Sequence, residues 1–178
     1  MRYPVLAIQE MSQRQREVSE AISKRTGQVP AGHLAALLYA PDVAEKVQLL
    51  GEFLRCGLRL PERLRILAFL VSAGRHRSAD LAQFIPLDAV QHSGLSAATL
   101  AAFSEGRRPE NLKEDEQLVY DYSSQVIQTG RVKSATFDRA MAKFGREVCL
   151  ELVEVCGFTA FLMSILQVTQ TSVSAGDI

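Results

Sequence analysis

The sequence contains no tryptophan, no excess of either charge and no long apolar run. Its 20 basic and 20 acidic residues cancel to a formal net charge of zero, and no basic block stands out. Because nucleic-acid-binding proteins carry clustered positive charge, this balance argues against a nucleic-acid partner. No apolar run approaches the roughly 20 residues of a membrane span, and the stretch MRYPVLAIQEMSQRQ lacks the order of a secretion signal. We therefore expect a cytoplasmic protein without a membrane partner.

Cysteine is also scarce, since the chain has only Cys56, Cys149 and Cys156. Cys149 and Cys156 lie on one predicted helix and are separated by roughly 10 Å along its axis. This separation exceeds the distance of about 7 Å between Cα atoms that a disulfide can bridge. We expect all three to be small, buried, apolar residues. No group of His, Cys and carboxylate residues has metal-ligand spacing, and no phosphate-binding loop is present, so neither a metal nor a cofactor is predicted.

The residues that are present favour an all-α protein. The chain has 178 residues, of which 47% are hydrophobic, enough for one core. Helical spacing of apolar residues recurs along the chain, and no strand pattern of any strength is found. We predict helices over 12–25, 31–39, 42–57, 61–74, 78–94, 96–105, 113–129, 134–145 and 146–170. The last of these is apolar on almost every side, which predicts burial in the core or against another subunit.

The stretch 60–95 forms the predicted centre of the protein, as two helices separated near Gly74. Pro61 suits the first turn of a helix, where its missing N–H group needs no partner. Gly74 is predicted to be a left-handed C-cap, and Gly94 to close the second helix. Ser78 is the predicted N-cap of that second helix.

This stretch resembles the core of the carboxymuconolactone decarboxylase family, which is related to the alkylhydroperoxidase D-like proteins. The matching residues are Leu60-Pro61-Glu62-Arg63, Pro86-Leu87 and Gly94-Leu95-Ser96. The resemblance extends from about residue 30 to residue 168 and implies a single-domain helical bundle of the alkylhydroperoxidase D-like type. It also implies a homotrimer or homohexamer. We expect an N-terminal arm and helix over 1–30, the family-like domain over 31–170 and a disordered tail over 171–178.

The residues at the family's active-site positions differ from the family pattern. The usual histidine position falls on Phe84, and the glutamate before it falls on Asp80. The cysteine pair of the peroxidase branch would lie across Arg77 and Asp80, so both sulfur atoms are absent. An upstream family glutamate falls on Ile66. The resemblance therefore implies a retained scaffold with a rewritten site.

Asp80 and His76 are the candidate catalytic residues. The resemblance places Asp80 in the family pocket, where a carboxylate with a raised pKa could act as a general acid or base. The alternative is a structural aspartate that pairs with Arg77 or Arg65. His76 is the nearest histidine that could replace the missing one, and the alternative is an exposed loop residue.

Four further residues are candidates for contact with a substrate. Arg65 and Arg77 could bind a substrate carboxylate, because a guanidinium group matches a carboxylate in two parallel hydrogen bonds. Phe84 would form an apolar wall, and His33 could line the pocket from another helix.

The resemblance implies an enzyme of small-molecule metabolism. We expect a lyase or decarboxylase that acts on a small carboxylated or lactone-type substrate. The main alternative is a family member without catalytic activity that acts as a small-molecule-binding or scaffold oligomer. A weaker alternative is alkylhydroperoxidase activity, because no cysteine pair occupies the required positions.

Overall fold

The structure is a computed structural model that describes residues 2–74, 93–105 and 107–170. Throughout these ranges the regular elements are helices and no strand occurs, so the all-α prediction is confirmed. A short 3-10 turn covers Ile8–Glu10. The α-helices are α1 (Gln13–Thr26), α2 (Gly32–Leu37), α3 (Pro41–Cys56), α4 (Glu62–Gly74), α5 (Ala97–Ser104), α6 (Glu114–Thr129) and α7 (Ser134–Thr169).

Capping residues begin and end several of these helices. The Ser12 hydroxyl accepts a hydrogen bond from the Gln15 N–H group at 3.3 Å, which satisfies a free donor in the first turn of α1. Ser96 does the same for the Thr99 N–H group in α5, at 3.1 Å. Gly130 follows α6 in the left-handed conformation, with a φ of 67°.

Two glycines were predicted to frame the central pair of helices. Gly94 has a left-handed φ of 74°, although the helix that it was predicted to close lies outside the described residues, as does Ser78. The left-handed cap at Gly74 is wrong. Gly74 is the last residue of α4 and its φ is not positive, because the helix continues through it.

The chain divides into two compact units. The first comprises residues 1–57 and 162–178, and α1 packs against α3 within it. The predicted apolar face of α1 is buried, with Val18 at 1% and Ile22 at 3% exposure. On the outer side of the same pair, the Arg14 guanidinium lies 2.7 Å from the Asp42 carboxylate and 3.0 Å from that of Glu45.

The second unit comprises residues 58–161, and α4 lies at its centre. This helix packs mainly against α6 and also against α5. Its side chains at 64, 67 and 70 are buried because they repeat at helical spacing on the face that meets α6. On α7, Leu152 and Val155 belong to the same apolar core.

Helix α7 is interrupted at Gly145, between the two helices that the sequence predicted for this region. Gly145 has a φ of 79° and a ψ of 174°, a backbone conformation that is essentially restricted to glycine. We call residues 134–144 the first segment of α7 and residues 146–169 the second. The first segment lies in the second unit, whereas the second segment contributes residues to both units.

The expectation that no apolar run approaches the length of a membrane span is wrong for α7, which by length and composition could cross a membrane. Its most apolar 18 residues have a mean hydropathy of 1.9, and 44% of them are buried within the protein. Core helices of soluble proteins meet the same two criteria. Leu150 and Val168 on this helix are 59% and 58% exposed, so burial of that part of its apolar surface against another subunit stays a prediction.

Candidate functional site

The motif Leu60-Pro61-Glu62-Arg63 lies at the start of α4 and is held by two buried glutamates. Arg63 forms ion pairs with Asp115, at 2.5 Å, and with Glu116 at the start of α6. Glu116 is only 4% exposed. Its carboxylate also accepts a hydrogen bond from the Lys113 N–H group at 2.8 Å, which caps α6. A single arginine therefore neutralises a buried carboxylate and joins α4 to α6.

A second buried carboxylate supports the residues before α4. Glu151, on the second segment of α7, is 7% exposed. Its two oxygens accept hydrogen bonds from the backbone N–H groups of Arg59, at 2.9 Å, and Leu60, at 2.7 Å. Both donors come just before the first turn of α4. Together, Glu116 and Glu151 give this motif a structural explanation that requires no ligand.

Sequence reasoning missed both glutamates. Glu116 had a detectable signal, because a glutamate three residues after a helix N-cap is part of a capping pattern. Glu151 had only a weaker signal, a carboxylate between two leucines on a predicted buried helix. Such a carboxylate needs a nearby hydrogen-bond donor, but the sequence does not say which donor the fold supplies.

Arg65 is the one predicted arginine anchor that lies in the described residues. Its side chain is 17% exposed. The one ion pair that it forms within these ranges is to Glu62, at 3.6 Å, and the Glu62 side chain is 58% exposed. A distance of 3.6 Å is too long for a direct hydrogen bond. The guanidinium group of Arg65 therefore combines a largely buried position with a weak, solvent-exposed counter-charge.

The other predicted residues of this pocket are His76, Arg77, Asp80 and Phe84, and they lie outside the described residues. The predicted pairing of Asp80 with Arg65 or Arg77 stays a prediction for the same reason. Arg65 lies about two and a half helical turns before Gly74, the last described residue of α4.

His33 lies on α2 in the first unit, whereas Arg65 lies in the second. The residue is half-buried. Burial, together with the positive charge of Arg55, lowers the pKa of His33 to about 4. The imidazole is consequently neutral at pH 7. Its predicted place in the wall of a substrate pocket stays a prediction.

The cysteines form no disulfide. Burial raises the pKa of the Cys149 thiol. It also raises that of Cys156, although the hydroxyls of Ser72 and Ser123 oppose the effect. Both thiols therefore stay protonated at neutral pH, as expected of buried cysteines. The prediction for Cys56 is wrong: it is exposed, because the last residue of α3 faces solvent.

Within residues 2–74, 93–105 and 107–170, no group of three His, Cys, Asp or Glu residues is arranged to hold a metal ion. No family model matches the chain, and no curated protein matches it significantly. The chemistry of the site must therefore be argued from its residues.

Proposed function

We propose that this protein binds a small carboxylated or lactone-type metabolite and acts on it as a lyase of the carboxymuconolactone decarboxylase type. The observation that carries the proposal is Arg65. A guanidinium group that is 17% exposed, with its nearest described carboxylate at 3.6 Å and largely in solvent, can exchange that partner for a substrate carboxylate. The lower local dielectric would strengthen the new ion pair relative to one in water.

In this proposal, Asp80 supplies the proton transfer, and His76 assists it. Arg77 is a second anchor for the substrate carboxylate, while Phe84 lines the pocket. No cofactor takes part. The protein is cytoplasmic and works as a homotrimer or homohexamer, in keeping with the resemblance over residues 30–168.

A non-catalytic, small-molecule-binding or scaffold oligomer is the second candidate. The observation that favours it is the exposed apolar surface of α7, where Leu150, Phe161 and Val168 are each more than 40% exposed. Such surface is typical of a helix that another subunit covers. Alkylhydroperoxidase activity is the weakest candidate, because the raised pKa values of Cys149 and Cys156 disfavour the thiolate that attacks a peroxide.

Substrate binding can be tested with a panel of small carboxylates and lactones, each paired with the methyl ester of the acid. We expect an acid, but not its ester, to raise the melting temperature of the protein. Arg65→Gln should weaken that binding by about tenfold, which is the loss of affinity expected when one hydrogen-bonded charge pair is removed. Arg59→Gln is the matched control, because the Arg59 side chain is 72% exposed and pairs with Glu147, which is 58% exposed. Equal losses in both variants would contradict the proposal.

A measurement of substrate turnover distinguishes the lyase from the non-catalytic oligomer. Asp80→Asn preserves the shape of the side chain but cannot transfer a proton, so catalysis should be abolished while the melting temperature stays the same. If Asp80 is instead a buried partner of an arginine, the same change should destabilise the protein by about 3–5 kcal/mol. Binding of a carboxylate by the wild-type protein without release of CO2 or of a ring-opened product would support the non-catalytic candidate.

A further inference from the structure

An open groove of about 520 Å³ lies in the second unit. It is lined by α6 and by both segments of α7. The lining residues are Tyr122, Phe137, Met141, Arg146, Cys149, Leu150 and Val153. None of them was singled out as a site residue from the sequence. The volume falls in the range of about 300–1,000 Å³ that small-molecule sites occupy.

The walls of the groove are apolar and open to solvent. Phe137 is 41% exposed, Leu150 59% and Val153 39%. They come from either side of the break at Gly145, so the two segments of α7 provide separate walls. Large apolar side chains that are exposed around a concave surface are characteristic of a binding site. An occupant of this groove must therefore have an apolar body.

The groove carries one permanent charge. Arg146, the first residue after the break, lies in the lining with an exposed side chain and forms no ion pair with another described residue. The lining contains no carboxylate. Tyr122 and Cys149 stay neutral, since burial raises the pKa of both groups. An occupant that complements this surface has an anionic group at one end.

We propose that the groove binds a small amphipathic anion, an alkyl chain or ring that bears a single carboxylate. The apolar body lies against Phe137, Leu150 and Val153, and the carboxylate pairs with Arg146. This proposal is independent of the lyase proposal, because no residue of the groove belongs to α4 or to residues 75–92.

Calorimetric titration of the full chain with decanoate tests the groove, with decanol as the uncharged partner probe. We expect one saturable site per chain for decanoate and an affinity at least tenfold lower for decanol. The heat of decanoate binding should become more negative as temperature rises, because burial of apolar surface gives a negative heat-capacity change. Equal affinities for the two probes, or titration without saturation, would overturn the proposal.

Three variants test the residues. Arg146→Gln should weaken decanoate binding by about tenfold and leave decanol binding unchanged. Arg139→Gln is the matched control, since Arg139 is an exposed arginine on the first segment of α7 that does not line the groove. Leu150→Gln should weaken binding of both probes. Comparable losses in the Arg146 and Arg139 variants would refute a specific carboxylate contact.

A second copy of the chain is the competing occupant. Light scattering of wild type and Leu150→Gln decides between the two. An unchanged mass supports the ligand site. Dissociation of an oligomer by this one substitution, with decanoate binding only to the dissociated form, would show that a neighbouring subunit fills the groove and would overturn the proposal.

Discussion

Replacement of Arg63 by methionine should destabilise the protein strongly, whatever the function of the chain. Methionine fills a similar volume but leaves Glu116, at 4% exposure, without the cation that neutralises it. Removing one partner of a buried ion pair costs about 3–5 kcal/mol. For a protein of this size, each kcal/mol lowers the melting temperature by about 2–4 °C. We therefore expect a fall of about 6–20 °C in the melting temperature of Arg63→Met.

An exposed ion pair of similar length provides the control. Arg25 lies 3.1 Å from Glu52, and both side chains are 46% exposed. Exposed pairs contribute at most about 1 kcal/mol, so Arg25→Met should lower the melting temperature by no more than about 4 °C. Thermal unfolding followed by circular dichroism measures both variants under the same conditions.

A double-mutant cycle separates the pair from its surroundings. Glu116→Gln, Arg63→Met and the double variant should show that the second change costs much less once the first is present. If Arg63→Met shifts the melting temperature no more than Arg25→Met does, the structural explanation of Arg63 is wrong. A stable Arg63→Met protein that no longer binds carboxylates would make Arg63 a ligand-binding residue instead.

The remaining predictions concern pH, redox chemistry and assembly. His33 has a pKa of about 4 in the folded protein and about 6.5 when unfolded, so the unfolded chain alone takes up a proton between these values. His33 should therefore not lower the free energy of unfolding above pH 6.5. Below that pH the free energy of unfolding should fall as the pH decreases towards 4, by at most about 2 kcal/mol at pH 5. Urea unfolding at pH 7.5 and pH 5 measures this loss, which His33→Gln should reduce. Peroxide consumption with a dithiol reductant should match that of a variant without Cys56, Cys149 and Cys156, and a drop on replacing Cys56 alone would disprove redox inertness. Light scattering should give a mass of three or more chains, whereas a stable monomer at micromolar concentration would contradict the assembly prediction.

The helices were predictable because apolar residues recur at helical spacing and several helices have local signals at their ends. Ser12, Ser96 and Gly130 all cap helices at the positions that their chemistry favours. The error at Gly74 has a physical reason, since glycine permits a left-handed turn but does not require one. The exposure of Cys56 could not be read from the sequence either, because it depends on which side of α3 the fold covers.

The candidate site was less predictable because it depends on contacts between distant parts of the chain. Arg63 stood out in the motif, but its partners lie more than 50 residues away, on α6. Glu151 is separated from Leu60 by 91 residues. The groove around Arg146 was also missed, because its walls come from residues that look like ordinary core positions in the sequence. Apolar spacing predicts a buried face, but it does not show where the fold leaves that face uncovered.

The groove depends on the backbone conformation of a single residue, Gly145, at the break in α7. In an unbroken helix, the side chains at 137, 141, 145 and 149 would form one continuous row along a convex surface. Gly145, the third of these positions, turns the chain by adopting a conformation that is the mirror image of an ordinary extended one. A methyl group added there in the natural configuration would have room, with no atom within 4 Å. The obstacle to any other natural residue is therefore stereochemical rather than spatial: an L-amino acid has the wrong chirality for the backbone that separates the two walls.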